Sequence, residues 1–277
     1  VLALQLWMNG ANVALDLWFV LGLGWGVPGV AIATLMAEVS GLAFGLWLCR
    51  NAFGAMLAPA LARLRDRVAL VRMLSVNGEI MLRTILLQGA YTAFLFLAAG
   101  LGDVPLAANQ VLMQFVAITV FALDGFAFAA ETLVGQTIGA RSGRDLDRAA
   151  RLSLLWGVGG AVLMAAAFAA FGPLVIDLMT TAPDVRSAAR NFLPWVVAAP
   201  VLGIVSWMYD GIFIGATQTR AMLGCAFVST LCYVAALVVL IPAFGNHGLW
   251  AALMVLYAVR GLTAWWIWPR LRARFMI

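Results

Sequence analysis

Residues 108–140 read ANQVLMQFVAITVFALDGFAFAAETLVGQTIGA, a long apolar run with two acids, no basic residue and no proline. A helix needs about 20 mostly apolar residues to cross a bilayer. This run is long enough to extend beyond the hydrocarbon core or to bend within it. Working outward, comparable apolar segments fill the chain, at about 1–23, 29–50, 79–99, 105–138, 149–177, 188–216, 221–243 and 247–268. Of all 277 residues, 65% are hydrophobic and only 10% charged. Water cannot solvate so much apolar surface, so the solvent is lipid. The expected fold is an all-α polytopic membrane protein of about eight transmembrane helices. The first segment has no basic start or small-residue cleavage site, so it reads as a span and not as a cleavable signal.

All 17 basic residues are arginines, against 12 acids. Arg50, Arg63, Arg65, Arg67 and Arg72 follow the second span, and Arg141, Arg144, Arg148 and Arg151 separate the fourth from the fifth. Arg220 follows the sixth, and Arg270, Arg272 and Arg274 follow the eighth. The opposite loops carry only Arg186 and Arg190. Arginine excess marks the cytoplasmic face, which places the 51–78 connection and the C-terminus inside. That asymmetry explains the basic balance without a nucleic-acid partner. Within 51–78, Leu57, Leu61 and Leu64 recur at helical spacing among arginines. The segment fits either an amphipathic helix on the inner leaflet or a plain positively charged connector. Cys49, Cys225 and Cys232 lie in apolar segments and read as buried reduced thiols. With a single histidine, His247, no His/Cys metal site is expected.

An internal repeat joins the two ends of the chain. At an offset of 219, Gly26 meets Gly245, Gly29 meets Gly248 and Ala33 meets Ala252. Parallel repeats are common in secondary transporters. Four spans precede the second copy and none precedes the first, and residue 1 is Val. The expectation is a fragment lacking about four N-terminal helices of a six-plus-six parent. The expected organisation is residues 1–50 as the last two helices of a first lobe, 51–78 as an inter-lobe linker, and 79–277 as a second lobe of six helices.

Ionisable residues inside spans are costly and commonly functional. Asp16 lies on the order of 10 Å below the outer end of the first span, with Asn12 one turn deeper on the same face. On the returning span, Thr34 falls at a depth similar to Asp16 and Glu38 at a depth similar to Asn12. The two stripes, Asn12/Asp16 and Thr34/Glu38, are expected to face each other as one polar pocket. Low dielectric disfavours the charged form of an acid, so such a pocket suits proton loading. Its oxygens also suit Na⁺, and the bland alternative is polar glue between helices. A second cluster comes from four spans: Arg83, Glu131, Asp210 and Arg260, each roughly 6–12 Å from its cytoplasmic end. Two cations and two acids at one depth are expected to neutralise each other as a structural or gating network. Asp124, seven residues before Glu131 on the same stripe, is the proton or cation candidate of this half. There is no phosphate loop, no His-Glu-x-x-His and no Gly-x-Ser-x-Gly, so no enzyme, catalytic residue, resident metal or cofactor is expected.

The stretches NGANVALDLWFVLGLGWGVPGVAIATLMAE (9–38), 108–140, YDGIFIGATQTR (209–220) and GNHGLW (245–250) together resemble the multidrug and toxic compound extrusion (MATE) transporters, in the DinF-like branch. The resemblance implies a twelve-helix fold of two six-helix lobes, with this sequence beginning in the fifth helix. It implies export of organic, often cationic compounds in exchange for H⁺ or Na⁺. Asn12, Asp16 and Thr34 match three positions of the first-lobe cluster that couples protons, while a further acid of that cluster belongs to the first helix. Other members place a cation site in the second lobe with an acid on the seventh helix. Here that helix offers Arg83, and no acid beyond Glu79 at its mouth, which favours H⁺. The implied partners are the lipid bilayer and a small organic substrate, the implied location a bacterial inner membrane, and the implied state a monomer. Two rival readings are a lipid-linked saccharide flippase of the wider superfamily and a membrane subunit that does not transport.

Overall fold

The computed structural model describes the backbone of residues 2–63 and 66–275, with side chains throughout except Leu2, residues 51–63 and Arg274. Every element in it is helical. In chain order these are α1 (Leu2–Asp16), continued by a π-helical turn (Leu17–Gly22), α2 (Gly26–Arg63), α3 (Arg67–Ala99), α4 (Asp103–Gly139), α5 (Gly143–Met179), α6 (Pro183–Gly215), α7 (Thr219–Phe244) and α8 (Asn246–Arg272), with a final 3₁₀ turn at Ala273–Phe275. Among the described residues, α2 to α8 are each long and apolar enough to cross a membrane. The first expected span is α1 plus its π turn. The stretch that opened the reading is the unbroken helix α4, 37 residues long. At 1.5 Å per residue that is about 55 Å, well beyond a core of about 30 Å.

The 51–78 connection is helical on both sides of a short break. Its first part continues α2 to Arg63, and α3 already starts at Arg67. Of the Leu57/Leu61/Leu64 stripe, the side chains of Leu57 and Leu61 and the whole of Leu64 lie outside what is described.

The chain forms two compact units, Val1–Arg72 and Met73–Ile277. In the first, α1 and α2 run antiparallel after the turn at residues 23–25. Gly24 and Gly26 take φ of 67° and 57° there, a region open to glycine at little cost. The stacked rings of Phe19 and Trp25, 5.1 Å apart, brace the turn. The facing side of α2 places Gly29, Ala33, Ala37, Gly41 and Gly45 four residues apart. Small residues at this spacing let membrane helices approach closely. Met8 packs over Gly41, Leu4 reaches Gly45, and the Trp7 indole donates to Ser40 Oγ at 3.2 Å.

In the second unit α6 is the central helix, packed against α4, α5 and α8, while α7 pairs with α8 and α4 with α5. The α4–α6 crossing is tight because Gly211 and Gly215 of α6 lie against the backbone of Ala127 and Glu131. Helix α3 joins the others through long side chains. Phe94 meets Trp250 edge to face at 4.9 Å, the Tyr233 hydroxyl donates to Ala90 O at 3.1 Å, and the Tyr91 and Tyr257 hydroxyls lie 3.0 Å apart. Beside Trp250, Asn109 and Asn246 exchange amide hydrogen bonds of 2.6 and 3.0 Å. Trp250 Nε1 adds a third bond, donating to Asn109 Oδ1 at 2.9 Å. Buried amides carry the full cost of lost hydration unless paired, and this network pairs them.

The repeat positions share local geometry. Gly26 and Gly245 both have positive φ, 57° and 54°, each immediately at the start of a helix. A second matched pair, Ala33 and Ala252, is fully buried in both copies.

Candidate functional site

In the first unit Asn12 and Thr34 meet directly. Asn12 Nδ2 donates to Thr34 Oγ1 at 3.3 Å, and Thr34 Oγ1 donates to Val30 O at 3.0 Å. Asp16 follows one turn beyond Asn12, on the last residue before the helix widens into its π turn. Such π turns occur frequently at functional sites. Asp16 Oδ1 is buried and has no hydrogen-bond partner. A carboxylate oxygen away from both water and donors is costly, so the atom is an open valence in the fold.

Two expected placements need correction. The α1–α2 register sets Thr34 beside Asn12 and not at the level of Asp16. It sets Glu38 one turn further along α2, in a groove with Leu4 and Met8. The four residues therefore do not form one pocket. The depth argument assumed equal offsets from the two span ends, whereas the π turn and the three-residue connection at 23–25 shift the register.

In the second unit a cavity of about 340 Å³ opens between α3, α4, α6 and α8. Arg83, Asp124, Glu131, Asp210 and Arg260 all line it, so the five residues drawn from four separate spans do converge. Their pairing differs from the expected mutual neutralisation. Asp210 Oδ2 accepts from both Arg83 and Arg260, the latter at 3.0 Å. One acid thus serves two guanidinium groups. Glu131 and Asp124 line the same wall, and neither has an ion-pair or hydrogen-bond partner among the described residues. Arg260 is the most enclosed charge, with its side chain 3% exposed against 13% for Asp210 and 20% for Arg83. At the mouth of α3, Thr219 Oγ1 donates to Glu79 Oε2 at 2.5 Å.

The cavity also contains Gln88, Tyr91 and Trp207, which the reading of charges passed over. A signal for two of them exists: Thr84, Gln88 and Tyr91 fall at i, i+4 and i+7 in the largely apolar stretch of α3 that follows Arg83. Among the described residues no three His, Cys, Asp or Glu side chains converge in a way that could hold a metal ion.

Comparison with known proteins places these sites in a family. Residues 80–239 match the MatE family. The chain is 38% identical over 268 residues to the DNA damage-inducible protein F of Escherichia coli, a match covering 95% of this chain and 57% of that protein. It is 26% identical to Protein DETOXIFICATION 44, chloroplastic, of Arabidopsis thaliana, covering 93% of this chain and 49% of that protein. The fold matches the MATE transporter VcmN of Vibrio cholerae with a TM-score of 0.86 at 19% identity, over 97% of this chain and 61% of that one. It also matches a MOP superfamily transporter from Pyrococcus furiosus with a TM-score of 0.83 at 21% identity, over 98% of this chain and 62% of that one. The two solved relatives are named as transporters, and the chain spans between about half and three fifths of the length of the proteins it matches. With more than half of its residues inside the family match, and its helices superimposing on solved members, the chain belongs to the MatE family.

Proposed function

We propose that this chain serves a secondary active antiporter that exports organic, often cationic and amphiphilic compounds in exchange for H⁺ by alternating access. The observation that carries the proposal is the unpartnered, buried Oδ1 of Asp16 beside the Asn12–Thr34 hydrogen bond. A proton bound to that carboxylate removes its charge. If one of two helix arrangements holds Asp16 protonated and the other ionised, the proton gradient biases the balance between them. A ligand shifts such an equilibrium only through its different affinity for the two states. In this reading residues 1–50 belong to the first lobe, 51–78 link the lobes and 79–277 form the second. The linker and C-terminus face the cytoplasm of a bacterial cell, and the protein works as a monomer in the inner membrane.

Coupling to Na⁺ is the second reading, and one contact disfavours it in the second unit. Arg83 occupies α3 and pairs with Asp210, which puts a fixed positive charge where a cation would need oxygens. The flippase reading is disfavoured because three acids face two arginines in the cavity, a poor match for a pyrophosphate.

Ethidium efflux driven by an imposed pH gradient, measured in membrane vesicles containing the protein, tests the proposal. Asp16→Asn is expected to lower the initial rate by about tenfold or more, which is about 1.4 kcal/mol or more of lost coupling. Asn12→Ala, which removes only the bond to Thr34, is expected to cost about 0.5–1.5 kcal/mol, a several-fold loss of rate. Efflux that continues unchanged in Asp16→Asn would remove Asp16 from the proton path.

A further inference from the structure

Helix α5 opens with three arginines, Arg144, Arg148 and Arg151, at i, i+4 and i+7. At 3.6 residues per turn they share one side of the helix, within a sector of about 60°. All three are exposed, and none has an ion-pair partner among the described residues. The two acids of this first stretch are engaged elsewhere. Asp147 is three residues from Arg144 and four from Arg151, yet its Oδ1 accepts from Arg272 Nη1 at 2.8 Å. Asp145 Oδ2 accepts from the capping Ser142 hydroxyl at 2.5 Å. The stripe therefore keeps its positive charge. The same side of α5 continues as an exposed apolar surface. Leu155, Val158 and Val162 follow in line with the arginines, at 67%, 39% and 53% exposure. Leu146, Ala150, Gly157 and Ala161, on the opposite side, are all buried. The arginines thus face away from the core of this unit. From Leu152 to Ile176 the helix carries no charge, about 38 Å at 1.5 Å per residue, enough to cross a hydrocarbon core of about 30 Å. Arg148 and Arg151 then lie within about 6 Å of the edge of that core, at headgroup depth. Helical side chains lean toward the helix N-terminus, which here carries the guanidinium groups out of the hydrocarbon and into the headgroup layer.

We propose that this face of α5 binds one acidic glycerophospholipid of the inner leaflet, its phosphodiester on Arg148 and Arg151, its headgroup edge toward Arg144, and its chains along Leu155, Val158 and Val162. Charge complementarity selects the occupant. A zwitterionic lipid brings its own cation toward three others, whereas an acidic lipid brings net negative charge. Each guanidinium offers a planar fork that matches two phosphate oxygens. A free phosphate gains the charge without the chain contacts, so the lipid is the tighter ligand. The site does not depend on which ion or compound the protein moves.

Native mass spectrometry of the 277-residue chain, released from detergent micelles doped with dioleoyl phosphatidylglycerol or dioleoyl phosphatidylcholine, tests the site. The first phosphatidylglycerol should bind about tenfold or more tightly than the first phosphatidylcholine. The combined variant Arg144→Gln/Arg148→Gln/Arg151→Gln should lose that preference, with phosphatidylglycerol weakened about tenfold or more and phosphatidylcholine unchanged. Arg148→Gln alone should weaken phosphatidylglycerol by about threefold. These exposed side chains have no ion pair to lose, so the unfolding temperature should stay at that of the parent. A charge-matched variant, Arg67→Gln/Arg72→Gln/Arg220→Gln, removes three positive charges from other exposed positions and should keep phosphatidylglycerol within about threefold of the parent. Millimolar inorganic phosphate should not displace the lipid. Equal affinity for the two lipids in the parent, phosphatidylglycerol binding that survives the triple exchange in α5, an equal loss in the charge-matched variant, or displacement by inorganic phosphate would overturn the proposal.

Discussion

Asp210→Ala is expected to be the most destabilising single change in the charged cavity, costing about 3–5 kcal/mol in thermal or denaturant unfolding of the purified chain. The reason is the sharing of one acid by two cations. Removing Asp210 leaves Arg260, 3% exposed, without the acid it pairs with, and frees Arg83 beside it. An unpaired buried cation is far more costly than a missing pair, because its hydration is lost with no Coulomb energy in return. The arginine variants should cost less. Arg260→Met leaves Asp210 paired with Arg83, and Arg83→Met leaves it paired with Arg260. The order of damage is therefore Asp210→Ala, then Arg260→Met, then Arg83→Met, although each removes one charge. The triple variant that replaces all three should recover most of the loss, since apolar replacement of a complete buried ion cluster is commonly neutral or stabilising. If Asp210→Ala unfolds no more easily than Arg83→Met, the two guanidinium groups do not share this acid.

The triad also shows what the chain declares about itself and what it withholds. Helix number and the apolar runs that form the helices were legible because lipid imposes a one-dimensional rule: a run such as 108–140 must be helical and must be about long enough to cross. The convergence of Arg83, Glu131, Asp210 and Arg260 on one cavity was legible by depth, because the four fall at one level, and Asp124 joins them from deeper along the stripe it shares with Glu131. Their pairing was not. Equal depth says nothing about which face of a helix a residue occupies, and Glu131 and Asp210, both acids at one level, receive opposite treatment. In the first unit, depth counting failed by one turn. It assumed an ideal rise through residues 17–22, where the helix is π and advances less per residue. Thr34 consequently meets Asn12, and Glu38 is carried away to Met8. The same irregular turn follows directly on Asp16, so the feature that spoiled the register also marks the candidate site.

Gly211 was passed over in the sequence as one glycine among 27, and it carries the second large effect. A Cβ built there would lie 2.2 Å from the carbonyl oxygen of Ala127, and one at Gly215 would lie 2.3 Å from that of Glu131. Both obstacles are backbone atoms inside a helix, which cannot rotate aside as a side chain does. Helices α4 and α6 would have to separate by about an ångström to restore contact distance near 3.5 Å. Gly211→Ala should then cost about 1–3 kcal/mol through overpacking, with Gly211→Val worse still. Gly125→Ala and Gly159→Ala meet nothing within 4 Å and serve as matched controls, neutral or slightly stabilising because alanine favours the helix. Function should move with stability at Gly211, since Ala127, Asp210, Gly211 and Glu131 all line the same cavity. Widening the crossing draws α4, with Asp124 and Glu131, away from α6 and the Arg83–Asp210–Arg260 triad. Ethidium efflux should therefore slow in Gly211→Ala even at temperatures where the variant is fully folded, and should be unchanged in Gly125→Ala. Parent-like unfolding and parent-like efflux in Gly211→Ala would mean that α4 and α6 do not cross this closely.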